Sequence, residues 1–125
     1  HLTYLFVSHN LSVVKHICDR VTVMYVGKIV ETATSQELFA RPRHPYTEAL
    51  LAALPVADPR IKTGNMELPG EVASPAHPPS GCYFHPRCTY CIDQCKTVAP
   101  AYREITPGHY AACHRADELN LAGMA

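Results

Sequence analysis

The chain has 125 residues, enough for one ordinary domain or for parts of two. Lys plus Arg equals Asp plus Glu at 11 each, so the formal net charge is zero. This balance argues against a nucleic-acid partner, because affinity for phosphates depends on a basic surface. The longest apolar stretch, near residues 50–57, falls well short of the roughly 20 residues that cross a bilayer. With no secretory signal at the start, the sequence predicts a cytosolic setting.

The first third of the chain has the pattern of an α/β domain. Residues 2–8 (LTYLFVS) are a continuous apolar run, which predicts a strand buried on both faces of a parallel sheet. Asn10 can cap a helix whose apolar positions recur at helical spacing. Residues 20–32, with Gly27 at the turn, predict a β-hairpin. Because the chain opens on a strand with no initiator Met, we expect it to be a piece of a longer protein.

Two helices and a proline-rich stretch are predicted next. Ser35 can cap a short helix that ends by Arg41, since Pro42 disfavours helical conformation in the residue before it. Residues 46–54 (YTEALLAAL) predict a second helix, and His44 and Pro45 are expected to form its rigid start. The remaining expectations are an extended strap over residues 57–80, a cysteine-rich unit over 81–114, and a frayed end over the last ten residues.

The cysteines are concentrated near the carboxyl end. Cys18 stands alone on the apolar face of the first helix and is expected to be a packing residue. The other five fall within 32 residues, at Cys82, Cys88, Cys91, Cys95 and Cys113. Their segment has too few apolar residues to fold alone, and small units of this kind need a stabilising cross-link, here called a staple. In a reducing compartment that staple is a metal more often than a disulfide.

The spacing of the cysteines is compatible with two kinds of metal centre. Cys88-x2-Cys91 has zinc-ligand spacing, with His85, His109 and His114 as possible nitrogen ligands. Four thiolates could instead hold an iron–sulfur cluster. An unbroken helix would place Cys88 and Cys95 about 10 Å apart, so either Cys88 precedes the helix or Cys91 replaces one of the two. Five cysteines are available for four ligand positions, so one cysteine would not be a ligand.

Three stretches resemble a known family. YLFVSHNLSVVKHICDRVTVMYVGKIVE (residues 4–31) resembles the end of an ABC-type ATPase domain. RHPYTEALLAALP (43–55) and LPGEVASPAHPPSGCYFHPRC (68–88) resemble the carboxy-terminal extension of ATP-binding subunits of dipeptide and oligopeptide importers. The resemblance implies an α/β fold class: the end of an ABC ATPase α/β domain, then a small Pro- and Cys-rich irregular extension with short helices. The implied segments are 1–42 (ATPase domain end), 43–80 (helix and strap) and 81–125 (cysteine-rich part and tail).

The resemblance also assigns roles to single residues. His9 matches the switch histidine, which implies contact with the γ-phosphate of ATP, with Mg²⁺, in the full subunit. The family pattern C-x5-C-x6-C, followed at a distance by another cysteine, implies a structural [4Fe–4S] cluster, with zinc as the alternative metal. This implies that Cys91 is the spare thiol and that a short helix begins at about Tyr90. His85 and His109 are expected at the surface. The four cysteines that fall on the pattern are Cys82, Cys88, Cys95 and Cys113.

The implied function is ATP-driven import of dipeptides or oligopeptides. Its partners would be a second ATPase subunit in a heterodimer, two membrane-spanning permease subunits and an extracytoplasmic peptide-binding protein, with the subunit peripheral on the cytoplasmic membrane face. The sequence contains no G-x-x-x-x-G-K-[ST] phosphate loop and no LSGGQ-like signature. We therefore predict that the parent subunit hydrolyses ATP and that this chain alone does not. The alternative is a stand-alone zinc- or iron–sulfur-binding interaction module.

Overall fold

A four-stranded antiparallel sheet organises the chain. The computed structural model describes residues 1–55, 59, 60 and 68–124. No helix among these residues has the length and apolar character of a membrane span. The elements are α1 (Leu11–Ile17), β1 (Arg20–Tyr25), β2 (Lys28–Thr34), α2 (Ser35–Ala40), α3 (Pro45–Ala52), a 3₁₀ turn (His85–Arg87), α4 (Asp93–Thr97), β3 (Arg103–Thr106) and β4 (His109–Ala111).

The predicted hairpin is confirmed and is slightly longer than expected. Val21, Val23 and Tyr25 alternate with exposed residues along β1 and point into the core. Val26 (φ 48°) and Gly27 (φ 75°) both have left-handed backbone conformations, which suit a two-residue turn between twisted antiparallel strands. The hairpin therefore presents one apolar face against the helices.

The sheet joins distant parts of the chain. Its strand order is β1-β2-β4-β3, so β2 has the carboxy-terminal strand β4 as its second neighbour. Glu31 lies opposite Ala111 and Thr32 opposite Tyr110 in this pairing. Sequence analysis did not predict β3 or β4, which are only four and three residues long.

The expected first strand is absent, and that prediction was wrong for this chain. Residues 2–8 carry no strand, and Leu5 and Val7 are 95% and 90% exposed. A strand buried in a parallel sheet needs a hydrogen-bonding neighbour and a layer on each face, and the described residues supply neither. Helix α1 begins as predicted, because the Asn10 side chain accepts a hydrogen bond from the Val13 amide at 3.3 Å.

The other helices differ from prediction at their ends. Thr34, rather than Ser35, caps α2, since its hydroxyl oxygen accepts a hydrogen bond from the Glu37 amide at 3.3 Å. The structural role of His44 is confirmed, because its Nδ1 accepts from the Tyr46 amide at 3.1 Å and caps α3. Helix α4 begins at Asp93, three residues later than expected. Residues 57, 58 and 61–67 of the predicted strap lie outside the described residues.

The carboxy-terminal tail is packed rather than frayed, which corrects the prediction. Leu121 is buried, and the Met124 amide donates a hydrogen bond to the Phe39 carbonyl at 2.6 Å. A Cβ at Gly123 would lie 2.1 Å from the Ala40 carbonyl oxygen, so only glycine lets the tail approach α2 this closely. The packing depends on residues about 80 positions earlier in the chain, which a local composition rule does not detect.

A buried carboxylate links the sheet to the start of α3. The Glu31 side chain is fully buried on β2. One oxygen accepts from the Arg43 amide at 2.7 Å and from His109 Nε2 at 2.6 Å, and the other accepts from the His44 amide at 3.1 Å. The expectation that His109 lies at the surface was wrong, because its place on β4 turns it inward against Glu31.

We expect Glu31→Gln to lower the free energy of unfolding by about 3 kcal/mol, because it would leave at least one buried donor of the Glu31 network without an acceptor. The glutamine amide would place a donor against the donors of Arg43, His44 or His109. Urea unfolding of the purified chain measures the change.

The matched control is Glu118→Gln. Glu118 makes an exposed ion pair with Arg115 at 2.8 Å, and such pairs contribute about 1 kcal/mol or less. Equal losses in the two variants would show that the buried carboxylate has no special role.

Candidate metal centre

Four cysteines converge on one cavity. Cys82, Cys88, Cys95 and Cys113 line a cavity of about 20 Å³ between the start of α3, the loop of residues 82–90, α4 and the segment that follows β4. They are the four residues that the cysteine pattern singled out, and Cys91 is not part of the lining. The cavity has room for roughly one water-sized sphere.

Backbone contacts bring Cys82 beside Cys95. The Cys82 amide donates to the Cys95 carbonyl at 2.8 Å, and the Ser80 hydroxyl donates to the Lys96 carbonyl at 2.7 Å. Gly81 has a φ of 69°, and a Cβ there would lie 2.3 Å from the Cys95 carbonyl oxygen. Glycine at position 81 is therefore required for the loop to lie against α4.

The other two cysteines come from a turn and from the end of the sheet. The 3₁₀ turn ends with the Cys88 amide donating to the His85 carbonyl at 3.2 Å. Cys113 follows β4, where the Ala112 amide donates to the Val30 carbonyl at 2.8 Å. Cys88 thus precedes α4, which is one of the two arrangements that helix geometry allowed.

The histidines are committed to other partners. His85 Nδ1 lies 2.8 Å from the Cys82 carbonyl oxygen, and His114 Nε2 lies 2.6 Å from the Val98 carbonyl oxygen. Both rings line the cavity, so His85 is not the free surface residue that was expected. His109 is bound to Glu31 instead. Thiols are therefore the main donors that face the cavity.

Burial raises the pKa of three of the four cavity thiols. Desolvation raises the pKa of Cys88 to about 12 and that of Cys113 to about 11, and it raises the pKa of Cys82 as well. Electrostatic repulsion from neighbouring thiolates raises all three further, which reflects how close the sulfurs lie. A metal ion that bound here would have to displace these protons.

The donor set suits a thiolate-bound metal, but its geometry is not that of a closed site. Within the described ranges, no group of three or more His, Cys, Asp or Glu side chains has an arrangement that could hold one metal ion. The four cysteines line one cavity, but their side chains would have to change position for a metal centre to form there.

Buried polar contacts that sequence reasoning missed hold the wall of the cavity. Glu48, on α3, accepts a hydrogen bond from the Tyr90 hydroxyl at 2.8 Å and another from the Ala122 amide at 2.8 Å. Arg115 donates to the Tyr90 carbonyl at 3.0 Å. The only sequence signal was a glutamate within an otherwise apolar helix.

His9 lies apart from these groups. It is exposed, directly before the cap residue Asn10, in the segment that forms no strand. The Asn10 amide donates to the Ser8 hydroxyl at 2.9 Å, which shapes the chain around His9.

Comparison with known proteins defines the family. Residues 30–95 match the family model described as the oligopeptide/dipeptide transporter, C-terminal region. This span covers β2 from residue 30 onward and three of the four cysteines that line the cavity. The chain belongs to this family, and the resemblance seen in the sequence is confirmed.

Individual relatives agree with this family assignment. A putative peptide import ATP-binding protein of Brucella ovis is 55% identical over 114 residues, covering 91% of this chain and 36% of the relative. The oligopeptide transport ATP-binding protein AppF of Bacillus subtilis is 51% identical over 116 residues, covering 91% of this chain and 35% of the relative. The chain spans about a third of the length of the curated relatives it matches.

We expect a histidine that borders the cavity to make stability depend on pH. Burial lowers the pKa of His44 from its ordinary value of 6.5 to about 4. Between these values the unfolded chain binds a proton that the folded chain does not, so stability falls as the pH falls from 6.5 to 4. At about 1.4 kcal/mol per pH unit, the loss reaches about 3 kcal/mol at pH 4.

Urea unfolding at a series of pH values measures this loss. His44→Asn is the control, because asparagine also caps helices but does not titrate. Its stability should fall less steeply over the same interval. Identical slopes for the two proteins would contradict the assignment.

Proposed function

We propose that the chain is the carboxy-terminal part of the ATP-binding subunit of an ABC importer for dipeptides or oligopeptides. The match of residues 30–95 to the transporter family carries this proposal. The names of the relatives, which specify peptide import or oligopeptide transport and ATP binding, point the same way. In this assignment the hairpin and α1 are the end of an ABC ATPase α/β domain, and the short helices and cysteine loop form the family's extension.

The exposed amino-terminal segment supports this assignment. Leu2, Tyr4, Leu5 and Val7 are each at least 80% exposed, and a run of apolar residues in water is costly at about 25 cal/mol per Å². The relatives are about three times as long as this chain. We infer that the rest of the ATPase domain supplies the strands and helices that cover this segment in the full subunit.

His9 is proposed to act at the nucleotide. It directly follows the apolar segment, so covering that segment would fix its position at the end of a strand. An imidazole there can donate a hydrogen bond to the γ-phosphate of ATP and position the attacking water. The phosphate loop and the Mg²⁺ ligands would come from the rest of the subunit, and the chain alone would not hydrolyse ATP.

The partners and location follow from the same assignment. We propose a heterodimer with a second ATPase subunit, bound to two membrane-spanning permease subunits that receive peptides from an extracytoplasmic binding protein. The subunit would lie on the cytoplasmic face of the membrane as a peripheral protein. The names of the relatives, which describe peptide import and oligopeptide transport, support a role beside a membrane transporter.

We propose that Cys82, Cys88, Cys95 and Cys113 hold a structural [4Fe–4S] cluster. Their shared cavity, the absence of Cys91 from its lining and the engagement of His109 with Glu31 favour four thiolates over a mixed zinc site. Bound there, the cluster would cross-link the cysteine loop, α4 and the end of β4. Such a cross-link would stabilise a region built from very short elements.

We expect the chain, purified without oxygen, to contain about four iron and four sulfide and to absorb broadly in the visible range. Cys95→Ser should abolish the absorption, because a serine hydroxyl cannot replace the thiolate ligand well. Cys91→Ser is the matched control on the same turn and should retain full iron. Zinc without sulfide, or no metal in a folded protein, would contradict the cluster.

We expect His9→Ala in the full-length subunit to lower ATP hydrolysis about 10²-fold or more. His16→Ala is the control, since His16 is exposed on α1 and has no assigned role. Phosphate release by the purified subunit measures both. Equal rates for His9→Ala and the unmodified subunit would refute the role of His9.

A further inference from the structure

A second cavity lies between the turn that joins α2 to α3 and the carboxy-terminal tail. Its volume is about 90 Å³, which is room for several water-sized spheres. The tail forms one wall, and the hydrogen bond from the Met124 amide to the Phe39 carbonyl helps to hold it there. The polar side chains that line this tail cavity belong to Arg41, Arg43 and Asn120, and the described residues of its lining include no acid.

The backbone fixes both arginines at the cavity. They flank Pro42, which is buried and whose ring restricts its φ. Arg43 is also held by its amide, which donates to the Glu31 carboxylate at 2.7 Å. Because that contact uses the backbone, the Arg43 guanidinium remains available for another partner. Arg41 is exposed and Arg43 is half-buried, so a ligand can reach the pair from solvent.

Arg43 has a buried donor that lacks an acceptor. Its Nε is buried and has no hydrogen-bond partner among the described residues. Neither Arg43 nor Arg41 belongs to any ion pair that these residues form. A solvated surface arginine keeps its donors in water, whereas a buried N–H group without an acceptor is unfavourable and uncommon. An acceptor bound in the cavity would satisfy it.

The carboxylates nearest to the lining in sequence are engaged by other cations. Asp117 binds Arg103, and Glu118 binds Arg115 at 2.8 Å. Arg103 lowers the pKa of Asp117, and Arg43 adds a smaller electrostatic effect without pairing with it. The two guanidinium groups at the cavity therefore keep a positive charge that this part of the chain does not neutralise.

We propose that the tail cavity binds a phosphate group, with the guanidinium groups of Arg41 and Arg43 and the side-chain amide of Asn120 as its donors. Guanidinium groups bind phosphate oxygens through paired, charge-assisted hydrogen bonds. A phosphate group carries roughly 1.5 to 2 negative charges at neutral pH, which matches two arginines better than the single charge of a carboxylate. A metal cation is repelled by the same two groups.

The source of the phosphate group is either the free anion or a lipid headgroup, since both present the same oxygens to the arginines. Either would link the tail to the α2–α3 turn. A ligand that binds only the folded chain stabilises it, so phosphate should raise the urea concentration at which half of the chain is unfolded. The inference rests on the described residues and not on the assignment to an importer.

Nuclear magnetic resonance of the ¹⁵N-labelled full chain tests the site, with inorganic phosphate as the probe. The titration is made near neutral pH and at low temperature, which slows the exchange of arginine protons with water, and sodium chloride keeps the ionic strength constant. We expect saturable changes in the Nε–H signals of Arg41 and Arg43 and in the side-chain amide signals of Asn120. Acetate at the same concentrations should produce much smaller changes.

Two variants and one control locate the binding. Arg41→Gln and Arg43→Met should each raise the dissociation constant for phosphate about tenfold or more, because each removes a charge-assisted contact. Arg41 is exposed, so its variant should fold normally even where Arg43→Met does not. Arg20→Gln is the matched control and should bind phosphate as the unmodified chain does, since Arg20 is an exposed arginine on β1 outside the cavity.

Vesicles distinguish the two sources of phosphate. The chain is sedimented with phosphatidylcholine vesicles that contain or lack phosphatidic acid. A saturable response to inorganic phosphate assigns the free anion, whereas a response only to phosphatidic acid, lost in Arg41→Gln, assigns a lipid phosphate. The proposal is overturned by the absence of both responses in a folded chain, by an equal response to acetate, or by unchanged phosphate binding in Arg41→Gln and Arg43→Met.

Discussion

The buried carboxylate of Glu31 is the interaction on which the rest of the structure depends. A carboxylate removed from water is costly unless its oxygens are hydrogen-bonded, and here three donors satisfy it. Those donors are the amides that precede α3 and the His109 side chain on β4. One charge thereby fixes the hairpin, the start of α3 and the second half of the sheet relative to one another. The arrangement is specific because the start of α3 and strand β4 supply the donors that the buried carboxylate of the hairpin would otherwise need from water.

The cysteine cavity is built on this frame. Helix α3, positioned at its start by Glu31, presents Glu48 to Tyr90 and to the tail. Phe84 packs within about 5 Å of Tyr25 and Tyr46, with ring centroids at 5.2 and 5.4 Å, and so anchors the loop between Cys82 and Cys88 to the core. The thiols are thus brought together by contacts that do not require a metal, although their final spacing is left open.

Local patterns predicted the local elements well. The hairpin and α1 could be predicted from the sequence, because their signals depend on residues that are neighbours in the chain. These signals are the alternation along β1, the turn at Gly27 and the cap at Asn10. The strands β3 and β4 are too short for periodicity, and the partners of Glu31 lie 12, 13 and 78 positions away. Residues 2–8 have the pattern of a buried strand, but pattern alone does not supply the neighbours that bury it. The set of cavity cysteines came from a resemblance, since spacing left Cys91 and zinc open.

We infer that the Glu31 contacts and the cysteine loop form one cooperative unit. Native-state amide hydrogen exchange tests it most directly, at Arg43 and His44, which donate to Glu31, and at Cys82, which donates to Cys95. If they form one unit, all three amides exchange only through global unfolding, with the same free energy of opening. Exchange at Cys82 far faster than at Arg43 and His44 would show a loop that opens on its own, and would contradict the claim.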